Sequence, residues 1–464
     1  MAGTLFLINM VPNSLSGESE QDSEPMLAVD PNNPLQIVGT AFTPNPMGGT
    51  VAPVYVSVDG GKSWTLNPIV PADGEVTGDI TVTFGPRSSA LYAGILKMPT
   101  GSGTTLRILR SKDATSATPM DVLTDRTGVD QPFAQSMPNG KKSEVLLIGD
   151  NDFDLRPGKT SNVDYSLDAA AATAVFKNAG VEWRSSASQN GPQVRAACHA
   201  SGVVYVVYYG WRKQTGSFEG NTLIVTADVV VVRDDSGAAG PNPFMNLKDP
   251  KDSLPGRLVA QGVRFPFRSQ GKTQEGQQRL GGDLSIAVDP NNSEVVYLAY
   301  SALSGTKYTL HVLESTDSGK SWSKDILTIP FGLNVALSVN AKGDVGLLYQ
   351  KLTGSGKRAH WETHFQMAAK GSTSTWSDLT LSNHPANSPL KQFDPYLGDY
   401  AYMTSQGHDF YGIFSASNEP DVSHFPNGVI FQRNHDFSSK SLTNLSNSSA
   451  VPISIDPFFF KYTP

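Results

Sequence analysis

Short apolar runs of four to six residues recur along the whole chain, and glycine, proline or an Asp/Asn/Ser cluster breaks nearly every one. Within the runs, apolar and polar positions alternate with a period of two, which is the signature of strands rather than helices. The clearest stretch predicts four consecutive strands: Asp283 to Val288, Val295 to Tyr300, Tyr308 to Leu313 and Trp322 to Leu327. Corresponding first strands are expected near Pro25, Asp79, Pro132, Gln193, Asp283, Asn334 and Pro395. Seven four-stranded units follow from that spacing.

Repetition gives the pattern its scale. Ser57-Val-Asp59-Gly-Gly61-Lys-Ser-Trp64 and Ser315-Thr-Asp317-Ser-Gly319-Lys-Ser-Trp322 are near copies, each leaving an apolar strand and entering another. Leu27-Ala-Val-Asp-Pro-Asn-Asn-Pro34 and Ile286-Ala-Val-Asp-Pro-Asn-Asn-Ser293 form a second matching pair, almost equally far ahead of the first. Weaker versions begin at Ser111, Ser166, Arg233, Met367 and Gln432, at intervals of about 60 residues. In each turn the Asp carboxylate can accept backbone N–H bonds, Gly supplies a positive φ, and Trp inserts between strands.

This Ser-x-Asp-x-Gly-x-x-Trp pattern resembles the Asp box, or BNR repeat, of sialidase-like β-propellers. The resemblance implies an all-β propeller, read here as seven-bladed, with the six blades usual for sialidases as the alternative. Residues 1–464 are read as a single domain. Thr4 to Met10 would close the ring by pairing with Ile455 to Tyr462, because an open ring leaves unpaired edges. Ser57, Asp59, Gly61, Trp64, Ser315, Asp317, Gly319 and Trp322 are structural in this reading, and ligand chemistry belongs on the opposite face, where the inner strands begin.

Acids stand near the starts of five predicted inner strands: Glu24, Asp79, Asp130, Asp283 and Asp394. Either they grip a ligand's hydroxyls, an amine or a cation, or each satisfies backbone amides of the next blade. Arg195, Arg212 and Arg279 are expected on the same face, with Trp211 on a loop between second and third strands. The resemblance implies a Tyr nucleophile and an Asp acid/base, for which Tyr400 or Tyr396, near Asp399, and Asp79 or Asp130 are the candidates. Sialidases begin their first blade with Arg-Ile-Pro, however, and this chain has Glu24-Pro25 there. An acid at that place repels a sialic acid carboxylate. The function expected is therefore glycan or protein recognition at the channel mouth, with glycoside hydrolysis by its carboxylates as the alternative.

Composition agrees with this. Charged residues are 17% of the chain against 43 Gly and 31 Pro, which excludes coiled coil, collagen and a helix bundle. A net charge of −7 without a basic stripe argues against nucleic acid as a partner. One cysteine, Cys198, permits no intrachain disulfide and no cysteine zinc cage. No cofactor is required, although Asp150, Asp152 and Asp154 alternate as calcium ligands do; they lack an EF-hand's glycine and distal glutamate. The apolar stretch Leu5 to Val11 lacks the basic flank of a signal peptide, and no apolar run is long enough to span a membrane. A soluble protein is expected, its compartment left open.

Overall fold

The computed structural model describes residues 3–18, 21–42, 49–98, 103–154, 158–187, 194–217, 222–267, 283–304, 307–389 and 396–464. Seven four-stranded antiparallel sheets stand in a ring as the blades of a β-propeller. Their inner strands are Met26–Val29, Val76–Phe84, Val129–Asn139, Arg195–Cys198, Leu284–Asp289, Gly332–Val339 and Tyr402–Gln406. The first six blades each run outward in chain order. In the seventh, Tyr402–Gln406 is followed by Asp409–Ser417, then Ile455–Thr463, and the N-terminal strand Thr4–Asn9 lies outermost. Thr4 pairs with Thr463 and Asn9 with Phe458, so both ends of the described chain share one sheet, as ring closure required.

Each blade has a neighbour on both faces, so its central strands are apolar throughout rather than alternating. Val204 to Tyr209 of the fourth blade are all buried, as are Val229 to Val232 beside them. The apolar core therefore consists of seams between blades. In one, Tyr209, Val231 and Phe265 of the fourth blade meet Leu284, Leu298 and Tyr300 of the fifth. Large side chains need small partners opposite: a Cβ on Gly149 would stand 2.0 Å from the Val194 carbonyl oxygen.

The two Ser-x-Asp turns have the same geometry. Asp59 accepts the Lys62 and Ser63 amides at 2.9 and 3.0 Å, and Gly61 donates to Ser57 Oγ at 2.9 Å. Asp317 accepts the Ser321 amide at 2.8 Å, and Gly319 donates to Ser315 Oγ at 2.9 Å. Gly61 and Gly319 have φ of 90° and 79°, as such turns need. The Trp64 and Trp322 indoles donate to the Gly61 and Gly319 carbonyls. Trp64 packs on Phe459 of the preceding blade.

Local expectations shift in four places. The fourth strand of the fifth blade is Leu327–Pro330, because Trp322 stays folded into its turn. The seventh inner strand begins at Tyr402, several residues after Pro395, which lies outside the described residues. The degenerate turn at Arg233 uses Asp234, which accepts the Ser236, Ala238 and Phe244 amides. Gln432 belongs to no blade turn: residues 418–454 form an insertion with a short hairpin, Asn434–Asp436 and Ser441–Thr443. The buried Arg433 ties this insertion to Asn9 and Asp456 at 2.7 Å each.

Candidate functional site at the start of the inner strands

The inner strands surround a channel that side chains cross near its middle. Tyr402 of the seventh blade accepts a 2.9 Å hydrogen bond from Gln135 Nε2 of the third, and its ring packs edge-on to Phe133. On one side, a cavity of about 440 Å³ runs down to Pro31, Pro86, Pro138 and Pro290, at the turns between first and second strands. That is the face of the Ser-x-Asp turns, since the Gly60 amide bonds the Leu35 carbonyl across them. Hydroxyls lining it serve the blades: Ser136 bonds the Phe84 carbonyl, Ser405 the Val339 carbonyl, and Ser285 accepts the Leu337 amide. Cys198 also lines it, and burial pushes its thiol up to about 12.

A different layer lies toward the strand starts. Arg195 donates from Nη2 to Asp283 Oδ1 at 3.1 Å, bridging the fourth and fifth blades. Its guanidinium carbon sits 4.3 Å from the Phe133 ring centroid and 5.1 Å from that of Tyr400. Tyr400 is buried, and burial with the nearby charges of Asp79 and Glu24 raises its hydroxyl well above the usual range. Burial pushes Asp283 up to about 7 against the pull of Arg195, with the Asp399 charge adding to the rise. The Tyr396 hydroxyl lies between the Glu24 and Asp399 carboxylates, 3.0 Å from Asp399 Oδ1. Among the described residues, buried atoms without a hydrogen-bond partner include Asp283 Oδ2, Arg195 Nη1, the Tyr400 hydroxyl and Gln131 Oε1. An unpartnered buried polar group costs roughly 1–3 kcal/mol, so a cluster of them marks a place prepared for something else.

Some of the chain's positive-φ residues stand at the same level. Glu24, Gln131 and Asn334 have φ of 52°, 54° and 50°. Each stands two residues before the inner-strand ladder begins at Met26 or resumes at Phe133 and Ala336. Such conformations cost about 1 kcal/mol or more for side chains of this kind and concentrate at binding sites. A Cβ on Gly398, whose φ is 103°, would lie 2.3 Å from the Glu24 nitrogen, so the 396–400 segment seats directly on that residue.

Several expected residues fall here, with corrections to their alignment. Glu24, Asp79, Arg195, Asp283 and Tyr400 share the layer. The acids do not occupy one equivalent point, because bulges in the second, third and sixth inner strands shift the count. The counterpart of Glu24 is Gln131, and Asp130, one residue earlier, caps the Gln131 amide at 2.8 Å. Asp79 and Asp283 stand one residue before the ladder at Ile80 and Leu284. Arg279 and Asp394 lie outside the described residues.

Arg212 and Trp211 are elsewhere. Arg212 is held by Asp228 of its own blade at 2.8 Å and by Glu182, in the connection from the third blade, at 3.0 Å. Trp211 is on the strand Val204–Thr215 and not on a loop; it is 1% exposed and packs against Phe265 and Phe267. It offers no face to a ligand. Asp150, Asp152 and Asp154 do not converge. Asp152 and Asp164 meet the Arg126 guanidinium from the second blade, Asp150 accepts from Asn162 at 3.0 Å, and Asp154 is exposed. Among the described residues no group of three or more His, Cys, Asp or Glu is placed to hold a metal ion. Residues that the sequence reading underused are Gln131, Asn334 and Phe133; their only signal was position at a strand start.

No protein-family model matches the chain, and no curated protein matches it. Among solved structures it is similar to the GH93 α-L-arabinofuranosidase of Fusarium graminearum in complex with arabinobiose, at 11% identity over 95% of this chain and 96% of that one, with a TM-score of 0.45. It is similar to the Penicillium chrysogenum α-L-arabinanase complexed with arabinobiose, at 17% identity over 75% and 94%, with a TM-score of 0.43. It is also similar to a Hadza microbial sialidase, at 12% identity over 85% and 63%, with a TM-score of 0.40.

Proposed function

We propose that this propeller, of the Asp-box type by its two Ser-x-Asp turns, recognises carbohydrate at the end of the channel where the inner strands begin. The observation carrying this reading is the set of unpartnered buried groups, Asp283 Oδ2, Arg195 Nη1 and the Tyr400 hydroxyl, in one layer. Acceptor, cation donor and hydroxyl together match the alternating donors and acceptors of sugar hydroxyls. The strained Glu24, Gln131 and Asn334 backbone around them supports a site for which stability is given up.

Array screening with neutral oligosaccharides, followed by calorimetry on the hits, tests the reading. Asp79→Asn is expected to weaken a hit at least tenfold, and Ser405→Ala, on the other side of the Tyr402 crossing, to leave it unchanged. Binding lost in Ser405→Ala but kept in Asp79→Asn would move the site to the 440 Å³ cavity. No binding on the array would end the proposal.

A further inference from the structure

The Asp283 carboxyl is held in an unusual way. Its Oδ1 is fixed twice, by Arg195 Nη2 at 3.1 Å and by the Leu284 amide at 2.8 Å, while Oδ2 is buried with no partner. Arg195 is itself fixed between the Phe133 and Tyr400 rings, so it cannot swing to meet the second oxygen. A carboxyl so clamped has one committed oxygen and one oxygen whose proton has nowhere in the protein to go. Both donors are on the same oxygen, which leaves the proton on Oδ2 when the group is neutral.

We propose that Asp283 donates the Oδ2 proton to the leaving oxygen of a bound glycoside. This rests on the carbohydrate reading above and adds a reaction to it. The proton moves from Oδ2 to the glycosidic oxygen as the bond between that oxygen and the anomeric carbon breaks, its electron pair staying on the oxygen. Water then bonds to the anomeric carbon and gives up its proton to the surrounding solvent. Asp283 ends as a carboxylate facing Arg195, and one water is consumed per bond cleaved. The clamp suits Asp283 to the acid's role, because burial pushes its pKa up to about 7 and keeps the proton on the uncommitted oxygen.

Aryl glycosides of neutral pentoses and hexoses test this across pH 4–9. With the protein as it stands, turnover is expected to fall above about pH 7, where Asp283 has lost its proton. Asp283→Asn should slow a methylumbelliferyl glycoside at least about 100-fold. It should leave a 2,4-dinitrophenyl glycoside, whose leaving group departs without a proton, within about tenfold. Arg195→Gln, a second variant should Asp283→Asn fail to fold, removes the cation that lowers the Asp283 pKa and should carry the falling limb to higher pH. Equal losses on both aryl groups, or a limb unmoved by Arg195→Gln, would overturn the assignment. So would oligosaccharide binding that Asp79→Asn abolishes with no turnover of any glycoside, an outcome that leaves recognition standing; absence of binding removes both.

Discussion

Arg195 and Asp283 form a buried ion pair between neighbouring blades, with side chains 5% exposed on each partner and 3.1 Å between Nη2 and Oδ1. Removing one member of such a pair costs about 3–5 kcal/mol, because the other charge is left without compensation. Arg195→Gln is therefore expected to destabilise the fold most at high pH. Without the guanidinium the Asp283 pKa rises beyond its present value of about 7. At pH 5 the carboxyl is then protonated and costs little, while at pH 8.5 it must either ionise unpaired or hold a proton that the unfolded chain has released. Urea unfolding at the two pH values checks this, and adding Asp283→Asn should restore most of the loss at pH 8.5.

His384 gives a dependence of opposite sign. Burial lowers its pKa from 6.5 to about 3, helped by the charges of His424 and His360, and its Nδ1 contacts the Pro385 carbonyl at 3.2 Å. The folded protein keeps this imidazole neutral, while the unfolded chain takes up a proton below about pH 6.5. Its contribution is constant above that value and is lost steadily as pH falls toward 3. Thermal melts between pH 7.5 and pH 4 should show a smaller drop in His384→Gln than in the parent chain.

Tyr400 separates stability from binding. Its hydroxyl is buried without a partner, so Tyr400→Phe removes a desolvation cost and no hydrogen bond. The melting temperature should hold or rise, while affinity for any oligosaccharide found on the array falls about tenfold, equivalent to one lost hydrogen bond.

For Trp211 the expectation is reversed. Trp211→Ala opens a cavity against Phe265 and Phe267 and should cost about 3–5 kcal/mol. Trp211→Phe, which keeps most of the packing, should bind oligosaccharide as the parent does. A loss of affinity in that folded variant would return Trp211 to the site.

Asp59 and Asp317 carry equivalent turns in the first and fifth blades. Asp59→Ala and Asp317→Ala should each cost about 1–2 kcal/mol by leaving turn amides unmatched. Unequal losses, read by denaturant unfolding, would show that the two turns are alike in form only.

The ring and its blade count were legible because the turns repeat a chemistry that only one geometry satisfies. Ser57, Asp59, Gly61 and Trp64 bond one another within eight residues, so their order in sequence already states their structure. The site was legible only as a level in the channel. Bulges before Phe133 and Ala336 insert residues that no spacing reveals, and Gln131 rather than Asp130 became the counterpart of Glu24. Arg212 and Trp211 were misplaced for a related reason: strand Val204–Thr215 runs well past the inner strand Arg195–Cys198 but stays paired with Ile224–Asp234 to its end, and Phe265 and Phe267, far away in sequence, cover Trp211. Pairings between blades, such as Arg126 with Asp152 and Asp164, leave no mark on either segment alone.

The strand Thr4–Asn9 pairs with Phe458–Thr463 along its length, and on its other edge Ile8 bridges Ile430. In sequence the other six sheets lie between these two strands, so this pairing closes the longest loop of the fold. The last blade is thus a clasp fastened from both directions.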